Sequence, residues 1–599
     1  VVVGGLPGAV RYLVRPFAVL GASRLLRTAL IHSFIALFQC LGNSTRETWE
    51  HSTLIGVVPE LMMGMLAGGT KLFTSVAEII HARECVRYIL HEGLSPLCGD
   101  RALRELLELL ISMARQPNAN GTVIQVALLE LCSLVEVLGD SIDDILPDAV
   151  DVVMKTIGRA GSPVRSSASL ALRAIVRQYP ANMPSFITGA LQTIKVAQAE
   201  MSMDSEVQRQ MDLMHGNSLA LAALLAELPS CDAGIPTEFM DSLLDFGANL
   251  LTNRTAAQPY VLNSQTVSGW TIIGGIASGF DPVWLEGHVE PLMALWEAAL
   301  GKRQIDSISS IQDRQQLQSV IEQKTQALDS LTTFLTRAAR LSLAREVACA
   351  AQSFLDNILV RLPRFPAGPT TNQLRLKVLE SYCAFLAIVS RLSDDSIIIP
   401  KPQILKLAMD EVILKTGMST LRVALNRDDG MLWGPQREDW FVPDDLDEFR
   451  LYADDNFNVS SASLKEAVQV AGVPFSLRIC DTAVRVAGLI ISMAPEHGQP
   501  YVEHMLEEIR RLKSRPAKKK ELHAALKVAF DMSKNAAGIL LTAFEATALD
   551  GRVIAHEGLL TKSMDLLSTL LLEDNAVIRC ASAEAFGRLA QVAVEQFRM

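Results

Sequence analysis

The chain has 599 residues, 49% hydrophobic, 20% charged and 6% aromatic, with a formal net charge of −11 and a pI near 5.5. That acidic balance argues against nucleic acid as the main ligand, because neutralising phosphate takes a clustered basic surface. Nine cysteines, from Cys40 to Cys580, lie scattered through apolar stretches with no CxxC, which fits reduced core thiols in a cytosolic protein and not a disulfide framework.

The opening VVVGGLPGAVRYLV has no initiator Met and none of the basic, apolar and cleavage regions of a signal peptide, so the sequence reads as a piece of something longer. The first hundred residues read as helical without a legible repeat register. From Leu103 onward, helices are expected over Ala102–Arg115, Thr122–Leu138, Asp148–Gly158, Pro163–Gln178 and Pro184–Ala197. The separators GDSIDD, GRAGSP and YPANMP supply glycine stops, serine or aspartate caps, and prolines suited to a first helical turn. The polar stretch Glu200–His215 reads as a loop or a frayed helix.

Further helix pairs are expected over Gly216–Leu251, Asn263–Leu300, Gln315–Val360, Asn372–Lys415, Ser476–Lys513 and Ala517–Ala593. Thr255–Phe280 is the longest run without a charge. Gln258, Pro259, Asn263, Ser264 and Gln265 break its first half, leaving too little to cross a bilayer, so it reads as a buried glycine-rich helix. No alternating strand pattern bounded by hairpin signals stands out. The fold class is therefore all-α, an α-solenoid of HEAT/armadillo-like antiparallel helix pairs over residues 1–425 and again over 462–599.

One helix is written twice. SPVRSSASLALRAIV from Ser162 returns in degenerate form as NAVIRCASAEAFGRLA from Asn575. Aligning Arg165 with Arg579 places Val164 over Ile578, Ala171 over Ala585, Leu172 over Phe586 and Ile175 over Leu589, one buried helical face. Both arginines sit in a first turn, where they are expected to serve neighbouring acidic or carbonyl groups of the stack and not a ligand.

Catalytic chemistry is not legible. GGLPGAV and GGIASGF lack the dinucleotide spacing and the lysine-serine/threonine ending of a phosphate loop, and neither HExxH nor GxSxG occurs. His81, Cys85 and His91 are the best metal candidates, but with no fourth ligand a buried cysteine beside surface histidines is the simpler reading. No catalytic residue, cofactor or metal site is therefore expected. The basic run Arg510–Lys520 could meet acidic lipid headgroups or act as an import signal, or could be a solvated turn between helices.

The segment Asn426–Ser461 breaks the helical rhythm with acidic residues, aromatics, glycine and proline, as an inserted and partly disordered loop would. Its large apolar residues Trp433, Trp440, Phe441 and Phe449 stand among carboxylates. Such a segment can dock in a basic, apolar groove, the aromatics anchoring and the carboxylates steering. The same composition would serve a loop folded back on its own solenoid.

Several stretches carry a family resemblance in collinear order: ARECVRYIL from Ala82, ALLELCSLVEVLG from Ala127, SPVRSSASLALRAI from Ser162 and HGNSLALAALLAELPSCDAGIP from His215. They continue with SQTVSGWTIIGGI from Ser264, HVEPLMALWEAAL from His288, LRLKVLESYCAFLAIV from Leu374 and NAVIRCASAEAFGRLAQ from Asn575. In these the chain resembles the HEAT repeat-containing protein 5 family, large accessory HEAT-repeat proteins of Golgi clathrin adaptors together with the plant SWEETIE proteins. The acidic loop matches the family poorly in composition, and the basic run at Lys518–Lys520 has no counterpart there.

The resemblance implies a cytosolic, non-catalytic solenoid, peripheral to membranes and not transmembrane, associating with clathrin-adaptor coats at the trans-Golgi network and endosomes. Its implied role is vesicle-mediated sorting, including endocytosis, protein localisation and retrograde endosome-to-Golgi transport. An importin-like nuclear transport receptor, also an acidic HEAT solenoid, is the alternative.

Overall fold

The structure, a computed structural model, describes residues 5–17, 55–66, 99–116, 119–159, 161–201, 206–230, 236–253, 258–308, 311–338, 341–366, 368–390, 402–413, 475–514, 519–551, 556–573 and 576–598, with a few single positions between them. These residues are helical, with short turns and no strand among them. They fall into two compact units, one taking in the described residues through Leu285 and the other those from Glu286 onward.

In the first unit, α1 (Gly5–Phe17) packs on α2 (Val58–Leu66). Then come α3 (Asp100–Arg115), α4 (Gly121–Leu138), α5 (Leu146–Ile157), α6 (Ser162–Gln178), α7 (Met183–Glu200), α8 (Val207–Ala226), α9 (Thr237–Thr252) and α10 (Pro259–Gly279). The packed pairs are α3 with α4, α5 with α6, α7 with α8, and α9 with α10. Within these pairs α4, α6, α8 and α10 lie side by side as one layer, and α3 and α5 touch in the other. That two-layer stack is the α-solenoid its sequence pattern implies.

Local chemistry sets the helix ends. The Asn120 side chain accepts from Thr122 N at 2.9 Å to start α4, and Gly139, with φ of 52°, ends it. Pro147, Pro163 and Pro184 occupy first turns of α5, α6 and α7, where a missing N–H costs nothing. Helix α8 begins at Val207, so most of the polar Glu200–His215 stretch belongs to a helix.

In the layer built from α4, α6, α8 and α10, apolar side chains fill the core, and α6 and α8 add buried polar groups such as Arg165, Ser169 and Asn217. α10 carries no charge and buries Trp270, Ile272, Ile273 and Ile276, each contributing about 1.5–3 kcal/mol. Its glycines are packing devices. A Cβ on Gly279 would lie 1.7 Å from Leu225 O, so α8 and α10 approach as closely as they do only because that position has no side chain. One described stretch, Gly121–Ile142, is long and apolar enough to span a membrane by length and composition, and 61% of its apolar window is buried within the stack.

The second unit holds α11 (Val289–Leu300), α12 (Lys302–Ser307), α13 (Arg314–Ala338), α14 (Ala344–Arg361), α15 (Pro369–Val389) and α16 (Pro402–Ile413). It continues with α17 (Phe475–Met493), α18 (Pro495–Ser514), α19 (Lys519–Leu549), α20 (Glu557–Leu570) and α21 (Ala576–Arg598). α13, α15, α17, α19 and α21 form one layer, backed by α11, α14, α16, α18 and α20. Trp296 anchors the start of this core, its ring 5.0 Å from that of Phe334 and its Nε1 donating to Ser330 Oγ at 2.9 Å.

The pairing differs in phase from the sequence expectation. Gly216–Leu251 and Asn372–Lys415 do not enclose pairs: α8 packs on α7 and α15 on α14, while α16 packs on α17. Ala517–Ala593 holds three helices. Amphipathic periodicity marks each helix but is silent on which of its two chain neighbours it packs against.

Candidate functional site

The residues nominated for partner contact, Trp433, Trp440, Phe441 and Phe449, lie outside the described residues, as do the candidate metal ligands His81, Cys85 and His91. Among the described residues no cluster of three His, Cys, Asp or Glu side chains could hold a metal ion. What the structure does assemble is a set of charged ladders running from one helix pair to the next.

The first ladder centres on Arg165, whose side chain is only 8% exposed in the first turn of α6. Its Nη1 meets Asp212 of α8 at 2.8 Å and also donates to Arg159 O at 2.9 Å, while its Nε donates to His215 Nδ1 at 3.2 Å. Arg159, in the turn before α6, reaches back with its own guanidinium to Gln116 O at 3.1 Å, beyond the end of α3. Three consecutive pairs are thereby tied through two guanidinium groups.

The second ladder lies toward the other end of the same helices. Glu227, at the C-terminal cap of α8 with a side chain 3% exposed, accepts from Arg173 Nε and from Arg177 Nη2 at 2.9 Å. Arg177 also donates to Glu136 of α4 at 3.0 Å. Burial pushes the Glu227 carboxyl up, but the hydrogen bonds from Arg177 and Arg173 outweigh it and hold the group below the ordinary carboxylate range. The Arg177 guanidinium is correspondingly raised, chiefly by its bond to Glu227. Beside this ladder the Tyr179 hydroxyl donates to Gly139 O at 2.8 Å, and burial together with Asp143 pushes its phenol up to about 12.

The opposite layer is tied similarly: Arg104 and Arg115 of α3 meet Asp144, ahead of α5, at 2.6 Å and Asp148 of α5 at 2.5 Å. In the second unit Arg361 binds Asp306, Lys377 binds Asp329 at 2.6 Å, and Lys562 binds Glu503 at 2.6 Å. The buried Tyr382 hydroxyl donates to Asp356 at 3.0 Å. Within the basic run, Arg510 donates to Thr569 and Lys513 to Glu573, which ties both to the next helix pair, while Arg511 donates to Glu508 of its own helix. The charged contacts between neighbouring pairs join residues 33 to 60 positions apart, about one helix pair and its connection.

Sequence reasoning paired Arg165 with Arg579 and assigned both to the stack. Arg579 Nη1 donates to Glu573 O at 2.7 Å, six positions upstream, just as Arg165 serves Arg159 O. Glu227, Asp212 and His215 were not singled out. Their signal was slight: lone polar residues in an alanine- and leucine-rich helix, with partners about fifty positions away.

Ladders of this kind, on two layers of helices stacked pair by pair, define a helical-repeat protein whose buried polar groups hold repeats together. No protein-family model matches the chain. It is similar to Protein SWEETIE of Arabidopsis thaliana, 24% identical over 338 residues, which is 55% of this chain and 14% of the relative's length. Among solved structures it is similar to one from a study of a phosphorylation switch in the cadherin–beta-catenin interaction, with 12% identity, TM-score 0.30 and coverage of 96% of this chain and all of that one. It is also similar to SYS-1 alone (10% identity, TM-score 0.27, 98% and 99% coverage) and in complex with POP-1 (11%, 0.29, 97% and 98%). At those scores the structural likenesses carry nothing further.

Proposed function

We propose that this chain is a non-catalytic HEAT-repeat scaffold in vesicle-mediated protein trafficking. In this reading it is peripheral to membranes and associates with clathrin-adaptor coats or their accessory subunits at the trans-Golgi network and endosomes. What carries the reading is the 338-residue match to SWEETIE, falling on a chain whose described residues form helix pairs tied by inter-repeat charge ladders. Stacked helix pairs suit a protein that gathers partners, since several weak contacts on one chain add through effective concentration.

The nominated contact is the acidic, aromatic segment 426–461, with Trp433, Trp440, Phe441 and Phe449 as anchors. Purified adaptor complexes are to be captured on the intact chain and on a variant with Trp433, Trp440 and Phe449 all changed to alanine. The intact chain should retain adaptor and the variant should lose at least tenfold in affinity. Equal retention by both would remove the segment from the proposal. Failure of the intact chain to bind adaptor, with capture of a small GTPase instead, would favour the nuclear-transport alternative.

A further inference from the structure

Three serines in the chain, Ser162, Ser514 and Ser582, have an arginine three positions before them, and no threonine does. Arginine-directed kinases read that spacing, because carboxylates in their substrate groove match the guanidinium fork. The structure separates the three. Ser582 is fully buried in α21. Ser162 opens α6, and its arginine, Arg159, is turned away to Gln116 O at 3.1 Å. Ser514 is exposed and is the last residue of α18. Its arginine, Arg511, is 50% exposed and donates at 2.7 Å to Glu508 of the same helix. Arg510 ahead of that position, with Lys513 and Arg515 on either side of the serine, extends the match in a run with no carboxylate from 510 to 520.

We propose that Ser514 is a phosphorylation site for an arginine-directed serine kinase. With ATP and Mg²⁺ as co-reactants, Ser514 Oγ attacks the γ-phosphorus and the bond to the β–γ bridging oxygen breaks. ADP leaves, and the hydroxyl proton passes to the kinase's catalytic aspartate. The kinase needs its acceptor extended, so the last turn of α18 has to open. Ser514 Oγ there makes a 3.3 Å contact to Arg511 O, and the Arg511–Glu508 pair is exposed and therefore weak. Release of the buried Leu512 sets the cost of opening.

The product is accommodated as well. A phosphate on Ser514 faces the negative end of the α18 dipole, but Arg510 and Arg511 lie one turn back on the same face, placed to donate charge-assisted hydrogen bonds. Arg510 gives up a 3.4 Å contact to the neutral Thr569 hydroxyl to do so.

The test incubates the 599-residue chain with ATP, Mg²⁺ and a calmodulin-dependent serine kinase that reads a lone arginine three residues before its acceptor; peptide mass spectrometry then locates the phosphate. Incorporation should approach about one phosphate per chain, on Ser514, and Ser514→Ala should lower it at least tenfold. Arg511→Gln should lower the initial rate at least tenfold with the thermal melt unchanged, since Arg511 bonds on the surface of its own helix. Arg511→Lys, which keeps the charge but not the fork, should rescue only part of that rate. Phosphate falling mainly on Ser162 or Ser582, or reaching Ser514 only after the chain has been heat-unfolded, would overturn the proposal. So would an Arg511→Gln rate within twofold of the parent chain's.

Discussion

Replacing Arg165 by methionine should destabilise the stack more than removing Glu227, although Glu227 accepts from two arginines. The asymmetry follows from what each change leaves behind. Arg165→Met strands the Asp212 carboxylate, 14% exposed, with Gln208 Nε2 at 3.2 Å as a remaining neutral donor. Uncompensated buried charges cost about 3–5 kcal/mol, and that residual bond and partial access place this one near 3 kcal/mol. Glu227→Ala strands Arg173 and Arg177, but these side chains are 37% and 48% exposed and can rehydrate, and Arg177 keeps Glu136 at 3.0 Å. Discounted for solvent, that loss is about 1–2 kcal/mol. At about 1.4 kcal/mol per tenfold, exchange protection of α8 amides should fall roughly a hundredfold for Arg165→Met and roughly tenfold for Glu227→Ala. Adding Asp212→Asn to Arg165→Met should restore part of the loss. Equal losses, or a larger one for Glu227→Ala, would refute the view that the buried Asp212 charge sets the cost.

Three further outcomes follow from the same geometry. Gly279→Ala should cost about 2–3 kcal/mol, because its Cβ would meet Leu225 O, while Gly189→Ala on the open side of α7 should gain about 0.5–1 kcal/mol; chemical denaturation of the two variants checks both signs. Glu227 has a depressed folded pKa, so its contribution is present above the ordinary carboxylate value and is lost as pH falls through the depressed one; acid titration of α8 exchange should show that loss, absent in Glu227→Gln. Tyr179 is shifted the opposite way, its folded pKa raised from 10 to about 12. Its contribution holds below pH 10 and is lost between about 10 and 12, a step in the alkaline melting curve that Tyr179→Phe should remove.

Much of the stack was legible because each helix carries a strong local signal. Pro163 at a first turn, Gly139 as a stop and the apolar period through Val164, Ala171 and Ile175 are decided within a few residues, and α6 begins one residue before its expected start. Pair phase was not legible, since α8 offers an apolar face to α7 behind it as well as to α10 two helices on. The ladders were half legible. Arg165 and Arg579 stood out because the sequence repeats them, but Glu227 is a single carboxylate whose partners lie 50 and 54 positions away, and no local pattern foretells that contact. The polar residues in its first half mark charge-free α10 as a buried helix and not a membrane span, and the approach of Gly279 to Leu225 agrees.

The scaffold-in-trafficking reading is tested most directly by proximity labelling of the chain in its own cell. Enrichment of clathrin-adaptor and accessory subunits at Golgi and endosomal membranes is the predicted result. Enrichment of nuclear pore proteins and transport GTPases, with coat subunits at background, would contradict it.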